Sequence, residues 1–326
     1  MGLSIPQLAT KLQTEGDAYK FLEDLRWGER PVCPHCGGVD PYFLNPKNGN
    51  SRKTRTGTTS QRRVWKCREC RKQFSVLTDT IFHGSKIPIR TWVFVIFEMA
   101  SSKNGVSARE IERKYDLTPK TAWFMMHRIR EAMKREPMAG LLKGRVAVDE
   151  TYIGGKPKNR HRSDPREQAR GFGETDQTAV VALVHRETGE VRSAVMERVT
   201  SENLKWAIMR QTWGPDTHLE TDGSFRYPRI ADRFASHTAV DHQAGEYVRG
   251  NVTTNQAENF FSQLKRSIDG THHHVSVEHL PRYLAEFDFR YSHCKVSDTD
   301  KMRMIVGRVA GRRLTYREPT QGPFWG

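Results

Sequence analysis

Three acidic residues occur where a carboxylate could do chemistry as well as keep the chain soluble. Asp149 ends the apolar run RVAVD, Asp222 ends the run HLETD, and Glu258 lies in the segment NQAENFFSQLK. Aspartate is poorly suited to strand interiors, so a carboxylate that closes a strand is commonly presented at a functional site. The spacing of NQAENFFSQLK is that of an amphipathic helix, which could add Glu258 to the two strand ends.

Converging carboxylates repel one another unless divalent cations lie among them. Mg²⁺ prefers such oxygen ligands, and two ions about 4 Å apart could activate a nucleophile and stabilise the leaving oxygen at one phosphodiester. A chance placement of the three acids is the open alternative. Glu150 and Glu220, which lie close to the two aspartates in sequence, are expected to point to the opposite face of the sheet.

The helix that carries Glu258 has a polar stripe. Helical residues advance about 100° each, so Glu258 and Lys265 project from nearly the same side, with Asn255 and Ser262 beside them. Such a stripe faces either solvent or the chemistry, and its spacing alone allows both.

Four of the five cysteines form two pairs with C-x-x-C spacing, at Cys33 and Cys36 and at Cys67 and Cys70. Two such turns can close a tetrahedral Zn²⁺ site when strands bring them together, so the pattern predicts structural zinc. Disulfides are the alternative. The odd fifth cysteine, Cys294, and the lack of an evident secretory segment favour a reduced, cytoplasmic compartment.

The charge balance points to a polyanionic partner. The 326 residues include 53 Lys and Arg against 38 Asp and Glu, a formal net charge of +15 spread along the chain. Nucleic acid is the first candidate, because no apolar stretch reaches the roughly 18 residues of a membrane span. Membrane attachment is therefore not expected.

Two short helices precede the first acidic strand. SAREIERKYDLTPKTAWFMMHRIREAMKRE contains a capping box at Ser107 and Glu110 and a second helix start at Thr118, as in a helix-turn-helix. In that motif the second helix enters the major groove. The residues then available for phosphates or bases are Lys120, Thr121, His127, Arg128 and Arg130. A plain helical hairpin is the alternative.

After these helices the residue pattern changes and predicts strands and helices in the order β-β-β-α-β-(α)-β-α. A basic insertion runs from Gly154 to Gly173. The predicted organisation is an N-terminal helical segment at 1–30, a zinc ribbon at 31–83, a helix-turn-helix region at 86–137, a catalytic domain at 144–293 and a basic C-terminal tail at 294–326.

Six stretches together resemble the zinc-ribbon-bearing bacterial insertion-sequence DDE transposases whose catalytic domain is called ISXO-like. They are LRWGERPVCPHCGG, WKCRECRKQFSVLTDTIF, VDETYIGGK, TDG, the block from Thr253 to Tyr291 and GRRLTY. One departure is RYSHCK, where the family usually has Asn and Arg after the Arg-Tyr.

The resemblance implies an α/β chain in which a zinc ribbon and a helix-turn-helix precede a ribonuclease H-like mixed-sheet catalytic domain. It implies that Asp149, Asp222 and Glu258 hold two Mg²⁺ or Mn²⁺ ions, and that Lys265, with Arg266 beside it, contacts DNA. Family members differ in the residue type at the third catalytic position, so Asn255 competes with Glu258, and the anionic oxygen favours Glu258.

The implied function is transposition: a homo-oligomer binds the inverted repeats at the ends of its element, cuts a phosphodiester with metal-activated water and joins the freed 3′-OH to target DNA. Double-stranded DNA would be the partner, and the nucleoid the location. Two alternatives stay open, a derived DNA-binding regulator that does not cut and a nuclease of the same fold that does not join ends. The presence of all three acids argues against the regulator.

Overall fold

The computed structural model describes residues 2–45, 53, 57, 59–135, 140–154, 177–222, 227–240 and 255–318. The predicted basic insertion lies outside these residues, except for Gly154. The described chain divides into two compact units, one formed by residues up to Lys134 and from Lys295 onward, the other by Arg135–Cys294. None of the described helices combines the length and the apolar run needed to cross a membrane.

The α-helices are α1 Ile5–Lys11, α2 Glu15–Trp27, α3 Ile89–Ser101, α4 Ala108–Tyr115, α5 Pro119–Met133, α6 Ser201–Met209, α7 Asn255–Ser267, α8 Leu280–Ser292 and α9 Asp298–Gly307. The strands are β1 Pro41–Phe43, β2 Trp65–Cys67, β3 Gln73–Phe74, β4 Leu142–Ile153, β5 Thr178–His185, β6 Val191–Met196, β7 Thr212–Asp222 and β8 Ser236–Val240. A 3₁₀ helix spans Pro228–Arg233, and a π-helical turn, Ile268–His272, follows α7.

The first unit joins a small antiparallel sheet, in the order β1-β2-β3, to a group of helices. Helices α4 and α5 begin at the predicted caps, because Ser107 accepts a hydrogen bond from the Glu110 amide and Thr118 accepts one from the Thr121 amide. The two helices pack against each other, as a helix-turn-helix requires.

The C-terminal segment differs from the basic tail predicted at 294–326. It contains α9, which is capped by Ser297 and packs against α2, α3 and α5. The buried side chains of Met302, Ile305 and Val306 explain this packing, since they form one apolar face of α9. Part of the predicted tail is therefore a structural helix of the first unit.

The second unit is built on a five-stranded sheet in the order β6-β5-β4-β7-β8. Strand β5 pairs antiparallel with both β4 and β6, whereas β7 pairs parallel with β4 and β8 pairs parallel with β7. The mixed sheet, with its helices in the predicted sequence order, confirms the expected ribonuclease H-like fold class.

Both faces of this sheet are buried, and β5 shows why. Between Thr178 and His185 its run AVVALV is apolar without interruption, which suits a strand covered on both sides. Val180, Ala182 and Val184 pack with α7 and α8 on one face, which we call the α7 face. Val181 and Leu183 pack with α6 on the other, which we call the α6 face. The Ser193 amide and hydroxyl of β6 donate hydrogen bonds to Asp288, fixing α8 to the sheet edge.

Candidate active site and metal centres

The parallel pairing of β4 with β7 places the two predicted aspartates together. Ala147 of β4 lies opposite Glu220 of β7, and two residues further along both strands come Asp149 and Asp222. Asp149 lies opposite Ala182 of the neighbouring strand β5, and the Ala182 side chain packs on the α7 face. Side chains alternate along a strand, so Asp149 and Asp222 both project from the α7 face.

The two aspartates form an acidic group with Glu150. One carboxylate oxygen from each of Asp149, Glu150 and Asp222 lies within 4.8 Å of the others, and all three residues are partly exposed. The Glu150 amide also donates a 2.8 Å hydrogen bond to Asp149 Oδ1. Three carboxylates this close match the oxygen donor set that Mg²⁺ or Mn²⁺ prefers, so the arrangement fits a divalent cation.

The predicted face of Glu150 is confirmed, but it does not keep this residue away from the site. Glu150 does leave β4 on the α6 face, because it is adjacent to Asp149, but its carboxylate still belongs to the acidic group. The buried Tyr227 hydroxyl donates a hydrogen bond to Glu150 Oε2. Burial, and then the nearby Glu150 carboxylate, raises the pKa of Tyr227, so the phenol keeps the proton that it donates.

Glu220, in contrast, differs from its prediction. It is two residues before Asp222, so strand alternation places it on the same face as the aspartates and not on the opposite one. Its carboxylate, only 2% exposed, accepts hydrogen bonds of 2.7 Å from Arg145 Nε and 2.8 Å from Arg186 Nη1. Two guanidinium groups therefore neutralise this acid beside the site.

Glu258 lies on the exposed side of α7. The helix packs against β4 and β5 through buried Phe260, Phe261 and Leu264, and its polar stripe of Asn255, Glu258, Ser262 and Lys265 is exposed. Among the described residues, the group of three close acids does not include Glu258. The residues that lead into α7, 241–254, lie outside the description. The role of Glu258 as third ligand therefore stays a prediction.

The four paired cysteines come together as predicted. All are free thiols, and their sulfur atoms lie within 4.8 Å of one another. Sγ of Cys33 is 3.7 Å from that of Cys70, and Sγ of Cys36 is 3.6 Å from that of Cys67. A tetrahedron with Zn–S bonds of about 2.3 Å has edges of about 3.8 Å, so these distances fit one zinc ion.

Each cysteine pair lies on the same kind of turn. The Cys33 amide donates to the Gly38 carbonyl and the Cys67 amide donates to that of Lys72, five residues later in both turns. Each turn has a positive φ four residues after its first cysteine, 77° at Gly37 and 60° at Arg71. The Lys72 amide, followed by the neighbouring cysteine thiols, lowers the pKa of the Cys70 thiol to about 7, which favours the thiolate at this one ligand.

We expect Cys67→Ser to remove zinc from the purified protein and to unfold the ribbon while the five-stranded sheet of the second unit persists. Zinc binding contributes most of the folding free energy of such small sites, on the order of 10 kcal/mol in zinc-finger peptides. Zinc content by mass spectrometry and limited proteolysis of both units measure this. Cys294→Ser, at an exposed thiol outside the group, is the matched control and should keep its zinc. Full zinc content in Cys67→Ser would contradict the assignment.

The predicted DNA-contacting residues of α5 separate into two sets. Lys120 is exposed and Thr121 half-buried at the start of the helix, where a recognition helix contacts DNA. His127, Arg128 and Arg130 are at most 5% exposed. Arg128 donates to the His83 carbonyl at 2.6 Å. The prediction that these three residues contact DNA is therefore wrong, because the C-terminal half of α5 is buried.

On α7, both predicted DNA-contacting residues are exposed. Lys265 and Arg266 lie on the last turns of the helix, and Arg266 donates a 3.1 Å hydrogen bond to Ser262. Their exposure leaves them accessible to a polyanion, and their DNA contact remains a prediction.

Comparison with known proteins places both sites in described families. Residues 141–292, which include the three predicted acids, match the ISXO2-like transposase domain. Residues 13–73, which include the four paired cysteines, match the transposase zinc-ribbon domain. A protein described as "Uncharacterized protein in transposable element ISH50", from Halobacterium salinarum, is 26% identical over 284 residues, covering 85% of this chain and 90% of that protein.

Among solved structures, one similar chain belongs to the simian T-cell lymphotropic virus intasome in complex with PP2A regulatory subunit B56 gamma. The match has 12% identity and covers 61% of this chain and 65% of that chain, which is just under two thirds. Its TM-score of 0.28 is too low to carry an argument. The two family matches occur in the predicted order and confirm the resemblance found in the sequence: a transposase zinc-ribbon domain precedes an ISXO2-like transposase domain in this chain.

Proposed function

We propose that the chain is a DNA transposase that binds the ends of its own element, cuts one phosphodiester at each end and joins the freed strand to target DNA. The observation that carries this proposal is the convergence of Asp149 and Asp222 from neighbouring parallel strands inside the matched transposase domain. We further propose that the active form is a homo-oligomer, since two element ends must be held together for joining.

The proposed reaction has two balanced steps. In the first, a water oxygen attacks phosphorus, a new P–O bond forms, the P–O3′ bond breaks and the element end leaves as a 3′-OH. In the second, that 3′ oxygen attacks a target phosphorus, loses its proton and displaces the 3′ oxygen of the target strand. The second step needs no external energy source, because the new phosphodiester bond replaces the phosphodiester bond of the target strand that breaks.

The acids of the site would hold the divalent ions that this chemistry requires. When bound, such ions supply the positive charge that activates the attacking oxygen and stabilises the leaving oxygen. Asp149 and Asp222 would hold them from the sheet, and Glu258 from α7. The arginine pair around Glu220 keeps that acid neutralised, so it does not add a competing charge beside Asp222.

A transposition assay in cells tests the proposal. The chain is supplied from one plasmid, and a marker gene flanked by the DNA that borders this chain's gene is supplied from another. We expect the marker to appear at new positions. Binding to the flanks without excision would support a regulator instead, and excision without insertion would support a nuclease.

We expect the affinity for duplex DNA to fall steeply with salt, because Lys and Arg release counterions from phosphates. The logarithm of affinity should change with the logarithm of salt concentration by a slope of about −0.9 for each phosphate neutralised. Fluorescence anisotropy at several salt concentrations measures the slope.

Lys265→Ala should weaken binding to all sequences and reduce the magnitude of that slope by about one. The control is Lys205→Ala, on α6 at the other face of the sheet, which should leave slope and affinity unchanged. Equal effects of the two substitutions would argue against a DNA contact by Lys265, and an affinity indifferent to salt would contradict phosphate binding altogether.

A further inference from the structure

Tyr227 is a buried phenol whose hydroxyl reaches the acidic group. Its side chain is 0% exposed and packs in the core of the α6 face, with Leu219 and Phe234. From that position the hydroxyl donates a hydrogen bond to Glu150 Oε2. The tyrosine therefore reaches the site from the face of the sheet opposite the aspartates and α7.

Glu150 is connected to the site at two points. Its carboxylate lies within 4.8 Å of those of Asp149 and Asp222, and its amide donates to Asp149 Oδ1. A glutamate has three rotatable side-chain bonds, and its charge is repelled by two neighbouring aspartates. A hydrogen bond at Oε2 opposes both effects, because it holds the carboxylate in one place beside the aspartates.

The chemistry of the donor matters, and Glu220 provides the contrast. Glu220 is bound by two arginines, whose charges cancel its own. A phenol is a neutral donor, so the Tyr227 hydrogen bond fixes the Glu150 carboxylate without cancelling its charge. A carboxylate also has about four lone-pair positions, so an oxygen that accepts from tyrosine still has acceptor capacity for a cation.

We propose that Tyr227 is a positioning residue for the metal-binding acids and that it acts through Glu150, which adds a further carboxylate to Asp149 and Asp222. This inference rests on the proposed function, because it concerns the same metal-dependent site. The tyrosine holds the Glu150 carboxylate in place from the protein core, and the Glu150 backbone amide separately donates to Asp149.

The test measures binding of Mn²⁺ alone to the full-length, zinc-loaded chain by isothermal titration calorimetry, without DNA. Tyr227→Phe keeps the buried ring and removes only the hydroxyl. We expect it to weaken Mn²⁺ binding about tenfold or more, within the range usual for residues that orient metal ligands. Glu150→Gln should weaken binding at least as much. The matched control is Tyr152→Phe. Tyr152 is an exposed tyrosine on β4, the strand that also carries Glu150, and its variant should bind Mn²⁺ like the unmodified chain.

A double variant separates positioning from a general structural effect. If Tyr227 acts through Glu150, Tyr227→Phe should have no further effect on Mn²⁺ affinity in a Glu150→Gln background. Thermal unfolding without Mn²⁺ checks that each variant is folded. A loss of affinity that persists in the Glu150→Gln background would overturn the proposal, since Tyr227 would then act by another route.

Asp149→Asn serves as the reference for the site itself. If it weakens Mn²⁺ binding while Tyr227→Phe and Glu150→Gln bind normally, the positioning role is wrong and the proposed function stands. If Asp149→Asn also binds Mn²⁺ normally, these acids hold no metal, and the positioning role fails together with the metal-dependent function.

Discussion

Asp222→Asn should abolish DNA cleavage and end joining while leaving end binding unchanged. The substitution keeps the shape of the side chain but replaces a charged oxygen ligand by a neutral amide. Bound divalent ions contribute several kcal/mol to stabilising charge in such transition states, so we expect a rate loss of about 1,000-fold or more. Cleavage of labelled element ends, together with anisotropy for end binding, measures both quantities on one preparation.

Asp216→Asn is the matched control for this experiment. Asp216 lies on the same strand but is exposed and forms an ion pair of 3.0 Å with Lys143, outside the acidic group. Its substitution should leave cleavage within about twofold, because exposed ion pairs contribute little. If Asp222→Asn cleaved at the rate of this control, the metal-binding role of Asp222 would be refuted.

Glu258→Gln should remove Mg²⁺-dependent cleavage and joining, and Asn255→Ala should only slow them. The two residues are exposed and three positions apart on α7, so geometry alone does not choose between them. An anionic oxygen binds Mg²⁺ better than a neutral amide, which favours Glu258. We expect a loss of about 1,000-fold for Glu258→Gln and about tenfold for Asn255→Ala, as for a residue that supports a ligand.

Both variants should retain end binding, which is assayed with the same labelled DNA. Asn259→Ala, another exposed position on α7, is the control and should behave like the unmodified chain. A Glu258→Gln variant that joins ends at the normal rate beside an inactive Asn255→Ala would transfer the assignment to Asn255.

Much of the fold follows from local patterns in the sequence. The paired cysteines, the caps at Ser107 and Thr118 and the β-rich run TAVVALVH each determine their own element. The order of elements then implies the mixed sheet, because β7 can pair parallel with β4 only after a long crossover, and α6 is part of that connection. The sequence also contained a cue for α9, the cap at Ser297, although the excess of basic residues there favoured a tail.

The residues that the sequence did not reveal, or whose role it misassigned, depend on contacts between distant parts of the chain. Tyr227 has no nearby pattern that connects it to Glu150, 77 positions away, and only the packing of the α6 face joins them. Arg128 and Arg130 look like DNA contacts because they are basic and lie on a second helix, yet the burial of that half of α5 is a tertiary property. Glu220 is different, since strand alternation from Asp222 already predicts its face.

End joining with pre-cut DNA tests the central claim most directly. A labelled element end with a 3′-OH is mixed with the chain, Mg²⁺ and a supercoiled target plasmid, in parallel with the same end carrying a 3′-hydrogen. A transposase should attach the label covalently to the plasmid only when the 3′-OH and Mg²⁺ are both present. The opposite result is that both labelled DNAs are bound and the plasmid is nicked, but no label becomes attached to the plasmid. That result would identify a nuclease and contradict end joining by this chain.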